Sequence, residues 1–390
     1  MKIALFTDSF VPGVGGTERA VLGLANAYVK LGEEVVVCCP DFNRHDDSEF
    51  AFPVFRCKSL KLSPNDVCAF PSLSGKFKKK LKDFNPDVIH CHTVSPMATY
   101  AFKYARQQKK TGAVPPIIMT VHTKFKTAWE RSVPSKVIVN AMVKDMRKKT
   151  YKADKVCVVS HDMIAELNSY GYYGNVTVVR NGAMFDKVDD IENAKRLAIE
   201  KYGLENEENI LLFVGRIFKY KNLQFIFDAL KLVKEKIPNF KILLTGKGDD
   251  EEYFKKYAEK LGLTENTLFT GEITDKALLS SVYSVGELFV FPSLFDNDPL
   301  TVVEAASRRT PAITVKNTGS SERITDGVNG FIVENDVNAF AEKIIYLLNH
   351  KDELKQAGIN AEKTIPKEWT QTAEEYLEIY KKAIKDGTAR

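Results

Sequence analysis

The fold is decided by the stretch Phe291-Pro-Ser-Leu-Phe-Asp296-Asn-Asp-Pro-Leu-Thr-Val-Val-Glu304-Ala, which predicts the end of a buried strand, a short loop and the start of a helix. Two carboxylates, Asp296 and Glu304, stand on either side of that helix start. A helix N-terminus leaves backbone N–H groups unpaired at the positive end of the dipole, so the loop can hold a phosphate. Carboxylates there would accept hydrogen bonds from hydroxyls. The combination favours a sugar joined to a nucleoside diphosphate as ligand.

Apolar, β-branched runs alternate with helical patterns along the whole chain, which is typical of parallel sheets covered by helices. The predicted strands are Ile3–Phe6, Val35–Cys39, Val88–Cys91, Ile117–Val121, Val156–Val159, Val176–Val179, Ile210–Val214, Lys241–Thr245, Leu268–Thr270, Leu288–Phe291 and Ala312–Val315. A chain of 390 residues with 44% apolar content exceeds what one core usually holds. We therefore expect an α/β protein with two Rossmann-like, doubly wound domains.

The predicted domains are residues 1–188 and residues 189–365, because the strand pattern breaks in the acidic stretch from Asp186 to Glu192. A final helical segment, residues 366–390, either closes the second domain or crosses back onto the first. Ligands of doubly wound sheets bind beyond the carboxyl ends of the strands. We therefore expect the two domains to face a central cleft that holds the site.

The basic residues are concentrated in the first half of the chain. Residues 1–190 carry 28 Lys and Arg against 19 Asp and Glu, whereas residues 191–390 carry 28 against 32. Clusters from Lys76 to Lys82 and from Lys124 to Lys155 suit an anionic membrane surface as partner, and a solvated helix face is the competing interpretation. A nucleic-acid partner is not expected.

The sequence also predicts where the protein resides. No apolar run approaches the roughly 20 residues of a membrane-spanning helix, and the start Met-Lys-Ile-Ala-Leu-Phe-Thr-Asp reads as a strand, not a signal peptide. The six cysteines lack zinc-type spacing and suit reduced thiols. We expect a cytoplasmic protein, with a peripheral position on the inner face of the membrane left open.

Two further motifs follow predicted strands and suit a diphosphate. Gly15-Gly16 stands at a strand-to-helix junction, where backbone amides can approach phosphates closely, although a tight turn alone would also explain the glycines. The spacing differs from the dinucleotide pattern G-x-G-x-x-G. Arg216 and Lys221 follow another strand and could neutralise a leaving diphosphate, the alternative being two exposed cations.

Histidines end two predicted strands of the first half. His122 follows the strand Ile117–Val121 and lies at the rim of the sheet. His90 and His92 flank Cys91 in the same manner. His-x-His can bind metal, but no further Asp, Glu or His cluster accompanies it, so no metal site is expected.

These motifs together resemble one large group of enzymes. Gly15-Gly16, Gly215-Arg216-x4-Lys221, Lys247-Gly248, Phe291-Pro-Ser with the acid pair, and Gly319 to Glu322 followed by Asp326-Gly-Val-Asn-Gly330 are similar to the retaining glycosyltransferases of family four, which have the GT-B fold. The resemblance spans essentially the whole chain. The basic first domain and His-Thr after a strand further resemble the diacylglycerol glucosyltransferase branch.

The resemblance implies a role for each matching residue. Arg216 and Lys221 are expected at the diphosphate, Asp296 at the sugar hydroxyls and Glu304 at the ribose hydroxyls. The implied catalytic residues are His122, Arg216, Lys221 and Asp296. The implied residues that bind the sugar donor are Gly15, Gly16, Arg216, Lys221, Ile273, Asp296, Leu300, Thr301 and Glu304.

The implied reaction is transfer of a hexose from a nucleotide sugar, expected to be UDP-linked, to a hydroxyl of a lipid or glycan acceptor with retention of configuration. No metal or other cofactor is implied, because the two cations and the helix dipole supply positive charge. Asp296 and the residues Asn297-Asp298-Pro299 depart from the family pattern, which usually has Glu and then Phe-Gly. That departure motivates a competing hypothesis, a catalytically silent partner or glycan-binding protein of the same fold.

Overall fold

The computed structural model describes residues 1–12, 15–42, 45–61, 67–109, 114–185, 190–204 and 209–388. The chain forms two compact units. Unit 1 contains Met1–Gly182 together with Lys367–Arg390, and unit 2 contains Ala183–Pro366. The predicted boundary between residues 188 and 189 lies outside the described residues.

Unit 1 is built on a parallel sheet of seven strands in the order β3-β2-β1-β6-β7-β8-β9. Its strands are β1 (Lys2–Phe6), β2 (Glu34–Pro40), β3 (Val54–Cys57), β6 (Val88–Cys91), β7 (Ile117–Val121), β8 (Lys155–Val158) and β9 (Val176–Val178), and β4 (Ser59–Lys61) pairs with β5 (Val67–Ala69) as a separate antiparallel hairpin. Its helices are α1 (Gly16–Lys30), α2 (Gly75–Phe84), α3 (Pro96–Gln108), α4 (Phe125–Ser132), α5 (Lys136–Lys152), α6 (Asp162–Ser169) and α14 (Trp369–Thr388).

Unit 2 is built on a parallel sheet of six strands in the order β12-β11-β10-β13-β14-β15. Its strands are β10 (Asn209–Val214), β11 (Phe240–Thr245), β12 (Thr267–Gly271), β13 (Leu288–Phe291), β14 (Ala312–Val315) and β15 (Gly330–Val333). Its helices are α7 (Ile191–Tyr202), α8 (Leu223–Lys236), α9 (Glu251–Lys260), α10 (Lys276–Val285), α11 (Leu300–Ala306), α12 (Val337–Asn349) and α13 (Lys351–Thr364).

Helices cover both faces of each sheet, so the central strands are buried and mostly apolar. In β7 and β13 every residue is buried. The prediction of two Rossmann-like, doubly wound α/β domains is confirmed. Among the sheet strands, the sequence did not reveal β3 and β15. Arg56 interrupts the apolar run of β3, and Gly330 gives the start of β15 the character of a turn.

The last helix, α14, returns to unit 1 and packs against α1. Its Tyr376 and Tyr380 are buried, and the hydroxyl of Tyr380 lies 2.6 Å from Nδ1 of His90 and 2.7 Å from the hydroxyl of Tyr28. The hydroxyl of Tyr376 lies 3.0 Å from Oγ1 of Thr120. Of the two placements left open by the sequence, α14 takes the one on the first unit.

Across the described ranges, no helix combines the length and the apolar character needed to cross a lipid bilayer.

We predict that Tyr380→Phe destabilises unit 1. The change takes the hydroxyl partner from two buried polar groups, so the free energy of unfolding should fall by about 1–3 kcal/mol. Trp129 and Trp369 are the two tryptophans of the chain and both belong to unit 1, so urea unfolding followed by tryptophan fluorescence reports on this unit.

The matched control is Tyr151→Phe, because the Tyr151 hydroxyl makes its hydrogen bonds to Gly171 and Tyr173 at the exposed surface. It should change the free energy of unfolding by no more than about 0.5 kcal/mol. Equal effects of the two substitutions would show that the buried contacts of Tyr380 contribute nothing special.

Candidate functional site

The loops that follow the central strands of unit 2 approach one another through glycine. The amide of Gly215 donates to Thr245 O, and the amide of Gly246 donates to Gly271 O, both at 2.9 Å. A Cβ on Gly246 would lie 2.0 Å from the carbonyl oxygen of Gly215, and the φ of Gly246 is +136°. Glycine is required here because any side chain would push apart the loop that carries Arg216.

The central feature of this edge is an ion pair between Lys221 and Asp296. The Nζ of Lys221 donates to Oδ1 of Asp296 at 2.6 Å and to Oδ2 at 2.7 Å. Ser293 Oγ donates to the same Oδ2 at 2.5 Å. The structure therefore brings together two predicted site residues that are 75 positions apart.

Burial and charge act in opposite directions on Asp296. Burial raises the pKa of its carboxyl, but the charge of Lys221, the hydrogen bonds from Lys221 and Ser293 and the charge of Arg216 outweigh that effect. The pKa of Asp296 is therefore lowered from its ordinary value, and the side chain is a carboxylate at neutral pH.

Arg216 differs from Lys221 in its exposure. Its side chain is exposed at the end of β10, and its guanidinium lies 5.7 Å from the ring centre of Phe218 and 5.8 Å from that of Tyr220. Lys221 is 9% exposed and its charge is balanced by Asp296. Arg216 thus faces solvent at this edge and can meet an incoming anion.

The loop from Pro292 to Pro299 is held by a second carboxylate. Asp298 is buried and forms a two-point ion pair with Arg323, with Nε donating to Oδ1 at 2.6 Å and an Nη2 donating to Oδ2 at 2.7 Å. Pro299 occupies the cap position of the following helix, and Arg323 neutralises the charge of Asp298.

Glu304 lies in the second turn of α11, below the surface. It is fully buried, and the hydroxyl of Tyr283 donates to its Oε2 at 2.6 Å. The helix that carries it is only seven residues long. Its expected contact with ribose hydroxyls stays a prediction.

The other residues expected at the sugar donor lie around the same strand ends. Leu300 is buried and Thr301 half-buried in the first turn of α11. Ile273 follows β12 and packs partly buried against the core of unit 2.

Unit 1 supplies the remaining predicted residues at the carboxyl ends of its own strands. Gly15 is the cap residue of α1 and Gly16 is its first helical residue, so their amides belong to the open end of a 15-residue helix. A Cβ on Gly16 would meet no atom within 4 Å. The helix end is therefore unobstructed at Gly16, whereas a Cβ on Gly15 would lie 2.2 Å from Oε2 of Glu18.

His122 follows β7 and pairs with a histidine from the neighbouring strand. Its Nε2 lies 2.9 Å from Nδ1 of His92, and the rings of His92 and His90 lie 4.0 Å apart. Burial and then the neighbouring histidines lower the pKa of His90 and His92, so both rings are neutral. Among the described residues, no group of three or more His, Cys, Asp and Glu side chains could hold a metal ion.

Sequence reasoning missed the residues that position the site from distant parts of the chain. They are Tyr283 at Glu304, Ser293 at Asp296, Arg323 at Asp298, and Tyr380 at His90. Only Ser293 carried a signal, since it belongs to the Phe291-Pro-Ser motif. The other three residues reach their partners through the packing of elements that are distant in the sequence, and no motif in the sequence relates them.

Comparison with known proteins assigns both halves of the chain. Residues 14–186 match the family model described as Glycosyltransferase Family 4, and residues 194–364 match the model described as Glycosyl transferases group 1. The chain belongs to the glycosyltransferases of the GT-B fold. The resemblance found in the sequence is thereby confirmed, and this glycosyltransferase is an enzyme of the transferase class.

Curated relatives align with most of the glycosyltransferase. Alpha-monoglucosyldiacylglycerol synthase of Streptococcus pneumoniae is 26% identical over 342 residues, which cover 85% of this chain and 74% of the relative. The UDP-Gal:alpha-D-GlcNAc-diphosphoundecaprenol alpha-1,3-galactosyltransferase of Escherichia coli is 26% identical over 365 residues, covering 90% of this chain and 89% of the relative.

A solved structure of similar fold is HepE of Anabaena in complex with UDP and glucose. Its TM-score is 0.74 at 18% sequence identity, and the match covers 97% of this chain and 99% of that one. At this identity the similarity establishes the fold of the glycosyltransferase.

We predict that Lys221→Met destabilises unit 2 in a pH-dependent way. The change leaves the half-buried Asp296 carboxylate without its cation, so the free energy of unfolding at pH 7 should fall by about 2 kcal/mol. Thermal unfolding followed by circular dichroism measures this. Lys247→Met is the matched control, since Lys247 is exposed and its Nζ lies 3.9 Å from Glu272.

The sign of the pH effect follows from the pKa of Asp296. In the native protein this pKa lies below the ordinary 3.8, so the stabilisation is present above pH 3.8 and is lost as pH falls through the lower value. In Lys221→Met, burial would raise the pKa of Asp296. Protonation of this carboxyl would then remove the unpaired charge that destabilises the variant. The difference in the free energy of unfolding between the native protein and Lys221→Met should therefore shrink as pH falls from about 7 to about 4. A difference that does not change with pH would refute this account of the pair.

Proposed function

We propose that this glycosyltransferase moves a hexose from a UDP-linked sugar to a hydroxyl of a diacylglycerol-type lipid, with retention of configuration. The observation that carries the proposal is the group formed by Arg216, Lys221 and Asp296 at the strand ends of unit 2. It combines cations suited to a diphosphate with a carboxylate suited to sugar hydroxyls. The HepE structures that contain UDP and UDP-glucose support UDP as the carrier.

In the proposed reaction, negative charge grows on the diphosphate as the bond to the sugar breaks. Arg216 and Lys221 stabilise that charge, and Asp296 accepts a hydrogen bond from the sugar. The acceptor oxygen attacks from the face that the diphosphate leaves, and a phosphate oxygen of the leaving group takes the acceptor proton. The positive charge comes from side chains, so the proposal requires neither a metal nor another cofactor.

The other predicted residues receive supporting roles in this proposal. Gly15 and Gly16 of unit 1 and the amides of Leu300 and Thr301 offer N–H groups to phosphate. Ile273 is assigned to the base and Glu304 to the ribose. His122 is assigned to the reacting sugar, where its imidazole can exchange a hydrogen bond with a hydroxyl.

The lipid acceptor is supported by two relatives that are alpha-monoglucosyldiacylglycerol synthases, from Streptococcus pneumoniae and Acholeplasma laidlawii. A surface-glycan precursor is the other acceptor class, as in the name of the Escherichia coli relative. Exposed lysines along α2 and the exposed Val137 and Ile138 at the start of α5 support a peripheral position on an anionic membrane. The six free cysteines, five of them buried, support the cytoplasmic side.

No observation favours the hypothesis of a silent partner. Its motivation is the unusual Asp296–Pro299 segment, with an extra carboxylate near the phosphate. That carboxylate, Asp298, is paired with Arg323 inside unit 2, so the segment keeps Asp296 in place without adding negative charge.

We predict that Arg216→Ala lowers kcat for transfer from UDP-glucose to diacylglycerol by about 100-fold or more, since removing one preorganised group at a developing charge has effects of that size. Radiolabelled UDP-glucose measures turnover, and NMR of the product should show the anomeric configuration of the donor. EDTA should leave the rate unchanged.

Lys219→Ala is the matched control, because Lys219 is a neighbouring exposed cation that lies 3.7 Å from Asp250 and over the ring of Tyr253. It should retain turnover close to that of the native enzyme. Full activity of Arg216→Ala, or inversion at the anomeric carbon, would contradict the proposal.

We predict that the enzyme sediments with phosphatidylglycerol liposomes at low salt and is released at high salt. Changing Lys78, Lys79 and Lys80 together to Gln should weaken binding by about two orders of magnitude, since each lysine near an anionic surface contributes about 1 kcal/mol. The matched control changes the exposed lysines of α9, Lys255, Lys256 and Lys260, to Gln. Equal losses in the two variants, or binding that salt does not affect, would contradict a membrane surface on unit 1.

A further inference from the structure

Unit 1 contains an apolar groove that none of the predicted site residues lines. Its cavity has a volume of about 490 Å³ and lies between the turn after β5, the start of α3 and the helices α4 and α5. We call it the Trp129 groove and define it by Phe70, Leu73, Tyr100, Trp129 and Met142. The volume is in the range of sites for small ligands.

The rim of the groove carries exposed large apolar side chains. Leu73 is 69% exposed and Phe70 is 37% exposed at one side, while the ring centres of Trp129 and Phe125 lie 5.2 Å apart at the other. Large apolar side chains left in contact with water mark a surface that binds an apolar partner.

Two of the three charged residues that line the groove, Lys149 and Asp145, are paired with each other, and the third, Lys103, is exposed. Lys149 is 9% exposed, and its Nζ donates to Val94 O at 2.8 Å and to Asp145 Oδ2 at 2.6 Å. The cation therefore holds the wall in place. A hydrocarbon chain in the groove would leave these bonds intact.

The groove connects two features of unit 1. At its inner end, Val94 and Ser95 line the cavity two and three residues after His92, which contacts His122. At its outer end, the turn that contains Leu73 leads directly into α2, whose Phe77 and Leu81 are buried and whose five lysines are exposed. A lipid with its chain here would have its head towards His122 and anionic neighbours beside α2.

We propose that the Trp129 groove holds one acyl chain of the glycerolipid acceptor and draws that lipid part-way out of the membrane. This inference rests on the proposed function, which supplies a lipid as the acceptor. The inference adds the subsite that would select the lipid. Burial of acyl-chain carbons favours lipids over water-soluble acceptors, because each buried methylene contributes to binding.

A binding experiment tests the groove without using activity. Phosphatidylglycerol vesicles that contain diacylglycerol with a nitroxide on its acyl chain should quench the fluorescence of Trp129. Trp129→Phe, which retains Trp369, should lose that quenching. A second set of vesicles carries the nitroxide on a polyprenyl phosphate in place of diacylglycerol. Quenching of Trp129 by these vesicles alone would show that the groove does not bind an acyl chain.

Kinetics test the same groove with a charge placed in it. Leu73→Asp should raise the KM for diacylglycerol about tenfold or more, because the acyl chain loses its apolar contact with Leu73, and leave kcat nearly unchanged. Leu73→Met should restore the native KM. Val328→Asp, at a valine of unit 2 that is 48% exposed, is the matched control and should behave as the native enzyme.

The outcomes separate this inference from the proposed function. If the native enzyme turns over no UDP-sugar but nitroxide lipid still quenches Trp129, the proposed reaction fails and the groove stands as a lipid site. If diacylglycerol is glucosylated while quenching is absent, or while Leu73→Asp has the KM of Val328→Asp, the groove assignment is overturned and the reaction stands.

Discussion

The parallel pairing of β10 with β13 is the constraint on which the candidate site of unit 2 depends. Leu211 and Leu212 of β10 lie opposite Leu288 and Phe289 of β13. Parallel neighbours end at the same edge of a sheet, so the two loops that follow must leave from one place. Lys221 and Asp296 therefore meet at 2.6 Å, and each compensates the burial of the other's charge.

In unit 1 the corresponding edge depends on the last helix of the chain. The rings of His90 and His92 are buried and neutral, and a buried ring nitrogen needs a partner. Tyr380 supplies that partner to His90 across 290 positions. The return of α14 is thus part of how the strand ends next to His122 are built, and the fold of unit 1 is complete only with residues from the end of the chain.

The sequence predicts the strands of this protein better than the contacts between its side chains. Strand positions follow from apolar runs in the sequence. Residues that directly follow strands, such as Arg216 and Asp296, are expected at the same edge of the sheet, because parallel strands end there together. Arg323 was not foreseen as the partner of Asp298, because such a pairing depends on where turns and helices pack. The Trp129 groove likewise brings together Phe70 and Trp129 from segments with no shared motif.

The number of acceptor positions left free on the Asp296 carboxylate limits which sugar hydroxyls it could bind in the proposed reaction. A carboxylate offers about four acceptor positions. Three hydrogen bonds already reach Asp296, one on Oδ1 from Lys221 and two on Oδ2 from Lys221 and Ser293. While Lys221 stays bound, a sugar in the proposed reaction can donate one hydrogen bond to this acid, on Oδ1. In the proposed reaction, discrimination between hexoses at Asp296 would therefore depend on a single hydroxyl, and the ion pair that stabilises the loop would also limit what the acid can recognise.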